Sequence, residues 1–331
     1  MKRCSAFLLV LLLGSGVAGA AGKPRPPGQP KTGPGGADYA HAAVKETSLG
    51  TGDTQVWFFE PDRPAPKTAP VVVLLHGWGA MDPRAYRAWI DHLARRGNLV
   101  IYPRYQASFL TRPETMTSNA AAAIRAALAA LRKPGHVSPD TSKLAAAGHS
   151  LGGVIAANFA AGAKALGVPQ PQAVLSVEPG DSKGSHTARR LGRKLKSILT
   201  DYSTVPTGTL FVVVVGDEDV MVGARTAKKI WAGIGHLPKK DRDFLLVGSD
   251  RHGSPGLAAG HFFPAGASGL GGRLGVDALD YYGTWKLLDG LTDAAFHGKN
   301  RKYALGNTPE QQFMGEWSDG TPVKKLRALT Q

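Results

Sequence analysis

The sequence predicts an α/β fold, with a mostly parallel central sheet and helices on both of its faces. Three observations predict it. Short continuous apolar runs, such as VVVLLHG (Val71–Gly77) and LFVVVV (Leu210–Val215), read as strands buried on both sides. Runs of this kind alternate with helical patterns about six times along the chain, the signature of parallel strands joined by helical crossovers. The residues best suited to chemistry fall just after the apolar runs, where open parallel sheets present their ligand-binding loops.

The elements follow in order. His41–Ser48 and Gln55–Glu60 read as an antiparallel pair at one edge. After Val71–Gly77, Asp82-Pro83 has the form of an N-cap followed by proline at the first helical position. Tyr86, Trp89, Ile90 and Leu93 continue at helical spacing, and Gly97 closes the pattern. LVIYP (Leu99–Pro103) is the next strand. A helix through Ile124, Leu128 and Leu131 stops at Pro134-Gly135. Lys143–Gly148 is strand-like, and Val154–Ala165 reads as a helix. Ala173–Val177, Leu210–Val215 and Phe244–Val247 are further strands, and Ala224–Ile234 and Ala278–Phe296 further helices.

The chain has 331 residues and a net charge of +15, with no long internal apolar run that reads as a transmembrane helix. At its N-terminus Lys2 and Arg3 precede an apolar core, Ala6–Leu13, and then Ala18-Gly19-Ala20. That three-part pattern predicts a signal peptide over 1–20 and a secreted or periplasmic protein. The sole cysteine, Cys4, lies ahead of the apolar core, so the mature chain would hold no disulfide. Residues 21–37 are rich in Pro and Gly and lack apolar periodicity, which predicts a disordered linker. One domain is expected over 38–331.

Gly148-His149-Ser150-Leu151-Gly152 matches G-x-S-x-G between a strand and a helix. A serine whose hydroxyl must stand above the sheet needs a sharp, strained turn, and side chains two residues away on either side would collide. The helix behind it aims N–H groups at the place where negative charge develops. The motif is common by chance. Its strand-to-helix context, the glycine-rich loop His76–Gly79 after an earlier strand, and an acid and histidines later in the chain make Ser150 a candidate nucleophile. Leu151 and Trp78 are the candidate oxyanion-hole residues, and Gly77 and His149 are expected to border the substrate, with packing beside the motif glycines the plainer role for His149.

With GHSLGG as its most specific part, the stretch from Pro70 to Phe262 resembles the α/β-hydrolase fold family, near the chlorophyllase-, dienelactone hydrolase- and cutinase-like serine esterases. The resemblance implies a Ser–acid–His triad and hydrolysis of a carboxylic ester. Asp219, at G-x-x-D spacing after the strand ending near Gly216, fits the family's acid, and Glu178, after the preceding strand, is the alternative. Two histidines compete for the base. His252 lies five residues past Val247 and is favoured over His261 on loop length.

Such chemistry calls for no metal or organic cofactor, and no H-E-x-x-H or paired-cysteine pattern occurs. The expected partner is a small or lipid-like ester, with no nucleic acid and a monomeric chain. The basic charge, +13 once Lys2 and Arg3 are removed, also suits contact with an anionic surface or membrane interface. His186–Thr200 has two readings, a basic lid over the site or an ordinary amphipathic surface helix. An acyltransferase using the same triad, or a non-catalytic binding protein on the same fold, are the alternatives to a hydrolase.

Overall fold

A computed structural model describes residues 22–183, 195–266 and 275–329. The segment 1–20, expected from its sequence to be a signal peptide, and most of the basic segment 186–200 lie outside the described residues. Nine strands form one sheet: β1 (Ala43–Leu49), β2 (Val56–Asp62), β3 (Thr68–Leu75), β4 (Leu99–Pro103), β5 (Ser138–His149), β6 (Ala173–Val177), β7 (Leu210–Gly216), β8 (Arg242–Val247) and β9 (Arg327–Ala328). Their spatial order is β1-β2-β4-β3-β5-β6-β7-β8-β9. The six strands from β4 to β8 run parallel, and β1, β2 and β9 add antiparallel pairings at the two edges. This is the arrangement predicted, with β9 as an addition too short to carry a sequence signal.

The continuous apolar runs are explained by burial on both faces. Val71, Val73 and Leu75 pack with Phe211, Val213 and Val215 into one core, while Val72, Leu74, Val212 and Val214 enter the other. The first core is covered by α2 (Pro113–Leu131), α3 (Leu151–Leu166) and α4 (Arg225–Gly233). The second is covered by α1 (Arg87–Arg95) and α5 (Lys286–His297). Each strand residue thus changes layers from its neighbour, so no polar alternation appears in the sequence. The cap signals hold as well. Asp82 accepts from the Arg84 N–H at 2.9 Å, with Pro83 opening a 3₁₀ turn that leads into α1. The helix expected over Ala278–Phe296 opens instead with a π-helical stretch, Leu279–Trp285.

Two expectations need correction. Leu195–Thr200, the described end of the basic segment, is not helical, and Ile198 packs into the first core. The Pro- and Gly-rich residues 22–37 form an ordered strap. Pro24 C=O accepts from Ser254 N–H at 2.8 Å, Arg25 and Ser318 exchange two hydrogen bonds of 2.9 Å, and Gly35 N–H donates to the buried Asp289 carboxylate at 2.7 Å. A Cβ on Gly35, whose φ is +80°, would collide with the Tyr281 carbonyl. The strap is held by polar contacts with distant segments, which composition does not reveal. No described helix is long and apolar enough to cross a membrane.

If the strap is structural, a chain starting at Asp38 should melt about 5 °C or more below one starting at Gly22. Thermal denaturation followed by circular dichroism measures this, and equal melting temperatures would mean the segment is only a tether.

Candidate active site

Ser150 stands at the tight turn between β5 and α3 with φ +56° and ψ −121°, a conformation that costs a non-glycine residue about 1–3 kcal/mol. The cost is met by close packing that only glycine permits. A Cβ on Gly148 would run into the Gly152 carbonyl, and one on Gly152 would run into the Leu75 carbonyl. The Ser150 N–H donates to Val177 C=O at 2.9 Å and its own C=O accepts from Gly153 N–H at 2.9 Å, so the turn is tied to both β6 and α3.

The Ser150 hydroxyl donates to Nε2 of His261 at 2.9 Å, and His261 Nδ1–H donates to Oδ2 of Asp219 at 2.8 Å. All three groups are buried. Asp219 follows β7, and its other oxygen accepts from the Met221 and Val222 amides at 2.9 and 3.0 Å. Burial alone would raise the Asp219 carboxyl. The hydrogen bond and charge of His261, together with the two amides, outweigh it and hold the group below the ordinary carboxylate range.

His252 is not in this assembly. Its Nε2 pairs with Asp319 Oδ2 at 2.8 Å on the surface, and its own N–H donates to Asp250. Loop length misled because Asp250 and Leu257 exchange backbone hydrogen bonds of 2.8 and 2.7 Å, closing residues 250–257 into a side loop. Asp250 also accepts from Trp317 Nε1–H and from Lys324 N–H, so the tail containing Glu316–Gly320 anchors that closure. The chain then returns along β7, where Ala259 C=O accepts from Glu218 N–H at 3.1 Å, and delivers His261 to Ser150.

Glu178, the alternative acid, is completely buried at the end of β6 with φ +44°. Its Oε2 lies 3.8 Å from His261 Nδ1 and 3.7 Å from His149 Nε2, beyond hydrogen-bond reach. Burial, and then the charge of Asp219, push its carboxyl well above the ordinary range, the opposite direction to Asp219. Two carboxyl groups thus flank one imidazole with their proton affinities shifted in opposite directions. The ligand atoms of His149, Glu178 and His261 lie within 4.8 Å of one another, a spacing open to a metal ion. His149 Nε2 is committed to the His261 carbonyl and His261 Nδ1 to Asp219, so the cluster is spent on hydrogen bonds.

Leu151 is the first residue of α3, so its N–H has no acceptor within the helix. In the loop after β3, Gly77 N–H donates to Tyr86 Oη, Gly79 N–H to Gln106 Oε1 and Ala80 N–H to Gly77 C=O. Among the described residues Trp78 N–H has no such partner. A Cβ on Gly77 would stand 3.4 Å from the Ser150 Cβ, which puts this loop beside the candidate nucleophile. His149 does not border an open pocket: it is buried, with its ring between Tyr86 and the His261 carbonyl. Sequence reading missed Gly180 and Val222. A Cβ on Gly180 would sit 3.2 Å from Ser150 Oγ and 2.7 Å from Val222 Cγ1, so the Glu178-Pro179-Gly180 turn borders the serine hydroxyl with Val222 packed behind it, and no motif marks either residue.

A family model described as Chlorophyllase matches residues 47–218, more than half of the chain. The matched span includes Trp78, Ser150, Leu151 and Glu178 and ends just before Asp219. No significant match is found among curated proteins.

The buried Glu178 makes stability depend on pH with a definite sign. Its folded form binds a proton more tightly than the unfolded chain, whose carboxyl titrates near 4.5. Stability is therefore lost as pH rises from that value toward the folded one. Glu178→Gln should gain melting temperature relative to wild type as pH is raised from 4 to 8, by about 2 °C or more at the upper end. Parallel pH dependences would show that Glu178 ionises in the folded protein as it does when unfolded.

Proposed function

The chain belongs to the chlorophyllase family, a family of α/β-hydrolase-like serine esterases, and from that premise we propose that it hydrolyses carboxylic esters through Ser150, His261 and Asp219 with an acyl-enzyme intermediate. The observation that carries the reading is the continuous pair of hydrogen bonds from the Ser150 hydroxyl through His261 to Asp219, at 2.9 and 2.8 Å.

In this reading His261 Nε2 takes the Ser150 proton as Oγ attacks the ester carbonyl carbon. Asp219 holds the ring in the tautomer with the proton on Nδ1 and stabilises the imidazolium that forms. The Leu151 and Trp78 amides receive the developing oxyanion, each donor being worth about 10²–10³ in rate. Collapse expels the alcohol, which leaves with the proton from His261. Water then gives a proton to the same nitrogen as it attacks the acyl carbon, and the second tetrahedral species collapses with His261 returning that proton to Ser150 Oγ as the acid departs. A strained serine supports this assignment, since backbone strain at a buried turn is retained where it places a reacting group. The substrate is a small or lipid-like ester, and a secreted location follows from the N-terminal pattern.

A fluorophosphonate probe should label the wild-type protein and leave Ser150→Ala unlabelled. With p-nitrophenyl butyrate, His261→Ala and Asp219→Asn should each lower kcat/KM by about 10³–10⁴, and His252→Ala should stay within about twofold of wild type. Full activity in His261→Ala, or its loss in His252→Ala with the fold intact, would overturn the assignment of the base.

A further inference from the structure

One buried chain of hydrogen bonds beside the site is not used by the proposed chemistry. The Gly77 N–H donates to Tyr86 Oη at 3.0 Å. The Tyr86 O–H donates to His149 Nδ1 at 2.7 Å. On the far side of that ring, His149 Nε2–H donates to the His261 carbonyl at 2.6 Å. Tyr86 and His149 are each 2% exposed. Every donor in the series meets an acceptor with one tautomer of His149, the neutral ring carrying its proton on Nε2. Burial, and then the proximity of His261, lower the His149 pKa to about 3, so the ring stays neutral and the tautomer is fixed through the neutral pH range.

The chain touches each part of the proposed machinery at one remove. Gly77 precedes Trp78, the oxyanion residue. His149 precedes Ser150. The His261 carbonyl belongs to the residue whose ring is the base. These three residues lie on different segments of the chain, and no sequence separation fixes their mutual distance. The packing agrees with the hydrogen bonding: a Cβ on Gly77 would stand 3.2 Å from His149 Nδ1 and 3.3 Å from Tyr86 Oη, so the loop backbone rests directly on this pair. Tyr86 is itself held at the end of the 3₁₀ turn capped by Asp82.

We infer that Tyr86 and His149 form a buried brace that sets the oxyanion loop, the nucleophile turn and the base loop at their working distances, as positioning residues for the reaction proposed above. The inference rests on that proposal. It assigns His149 to the alignment of the catalytic groups and removes it from the substrate surface. Displacement of a reacting group by about 1 Å costs on the order of a hundredfold in rate, and a brace of this kind acts on that scale.

The test compares Tyr86→Phe, His149→Leu, His149→Gln and the double variant Tyr86→Phe/His149→Leu in the full-length folded protein. Two rates are read: kcat and KM for p-nitrophenyl butyrate, and the second-order rate of Ser150 labelling by a fluorophosphonate. Tyr86→Phe and His149→Leu should each lower kcat and the labelling rate about 10–100-fold with KM within about twofold. The double variant should fall no further than His149→Leu alone, because both break one chain. His149→Gln should recover most of the loss, since its amide keeps an N–H donor toward the His261 carbonyl. Labelling of Tyr86→Phe at the wild-type rate would overturn the brace. So would a loss confined to KM, or a Gln variant no better than Leu at equal melting temperature. Tyr86→Phe decides alone if His149→Leu fails to fold, because it removes a single oxygen. A wild-type protein that does not label at all would overturn the catalytic reading itself, whereas equal labelling across variants overturns only the brace.

Discussion

The crossing of three chain segments at Gly148, Gly152 and Leu75 is the constraint on which the site depends. The carbonyls of Gly152 and Leu75 occupy the space that side chains on Gly148 and Gly152 would need. β3, β5 and α3 can meet there only because two glycines stand two residues either side of Ser150. The serine is then forced into a left-handed backbone, and its hydroxyl is lifted above the carboxyl ends of the strands. Strain at one residue is thereby distributed over packing made by the whole sheet, a common way for a fold to hold a group in a conformation it would not choose. The register of β3 against β5, with Leu75 opposite Gly148, places the His76–Gly79 loop beside Ser150 in the same step.

Much of this was legible in the sequence because it is local. The spacing of Gly148, Ser150 and Gly152 states a steric requirement, and the uninterrupted valines of β3 and β7 state burial on both faces. Asp219 could be placed because it trails a strand by a few residues. The choice between His252 and His261 was not legible. It depends on Asp250, whose carboxylate gathers the His252 N–H, Trp317 Nε1–H and Lys324 N–H and whose backbone pairs with Leu257. Trp317 lies 67 residues away in the chain, so counting loop residues from β8 could not foresee that His252 would be drawn to the surface. The order in residues 22–37 was hidden for the same reason, since a segment without apolar periodicity can still be fixed by acceptors such as Asp289.

The two carboxyl groups around His261 show how environment separates chemically similar side chains. Asp219 accepts two amides and an imidazole N–H, and these favour its charged form. Glu178 has neither oxygen within hydrogen-bond geometry of a described donor and sits wholly inside the protein. The Asp219 charge therefore lies on the Nδ1 side of the imidazole, while burial, and then that same charge, disfavour ionisation of Glu178.

The strap of residues 22–37 links the beginning of the chain to its end. The amide of Arg25 bonds to the hydroxyl of Ser318, 293 positions later. A polypeptide emerging from its N-terminus cannot make that contact until nearly all of it has been synthesised. The strap is thus tied at two places: Gly33 C=O accepts from Arg96 at the end of α1, early in the chain, whereas Arg25 waits for Ser318. A chain cut before Ser318 would keep the turn between Pro30 and Ala37 and the contact with Arg96, while the residues around Arg25 would lose their anchor and become the accessible end.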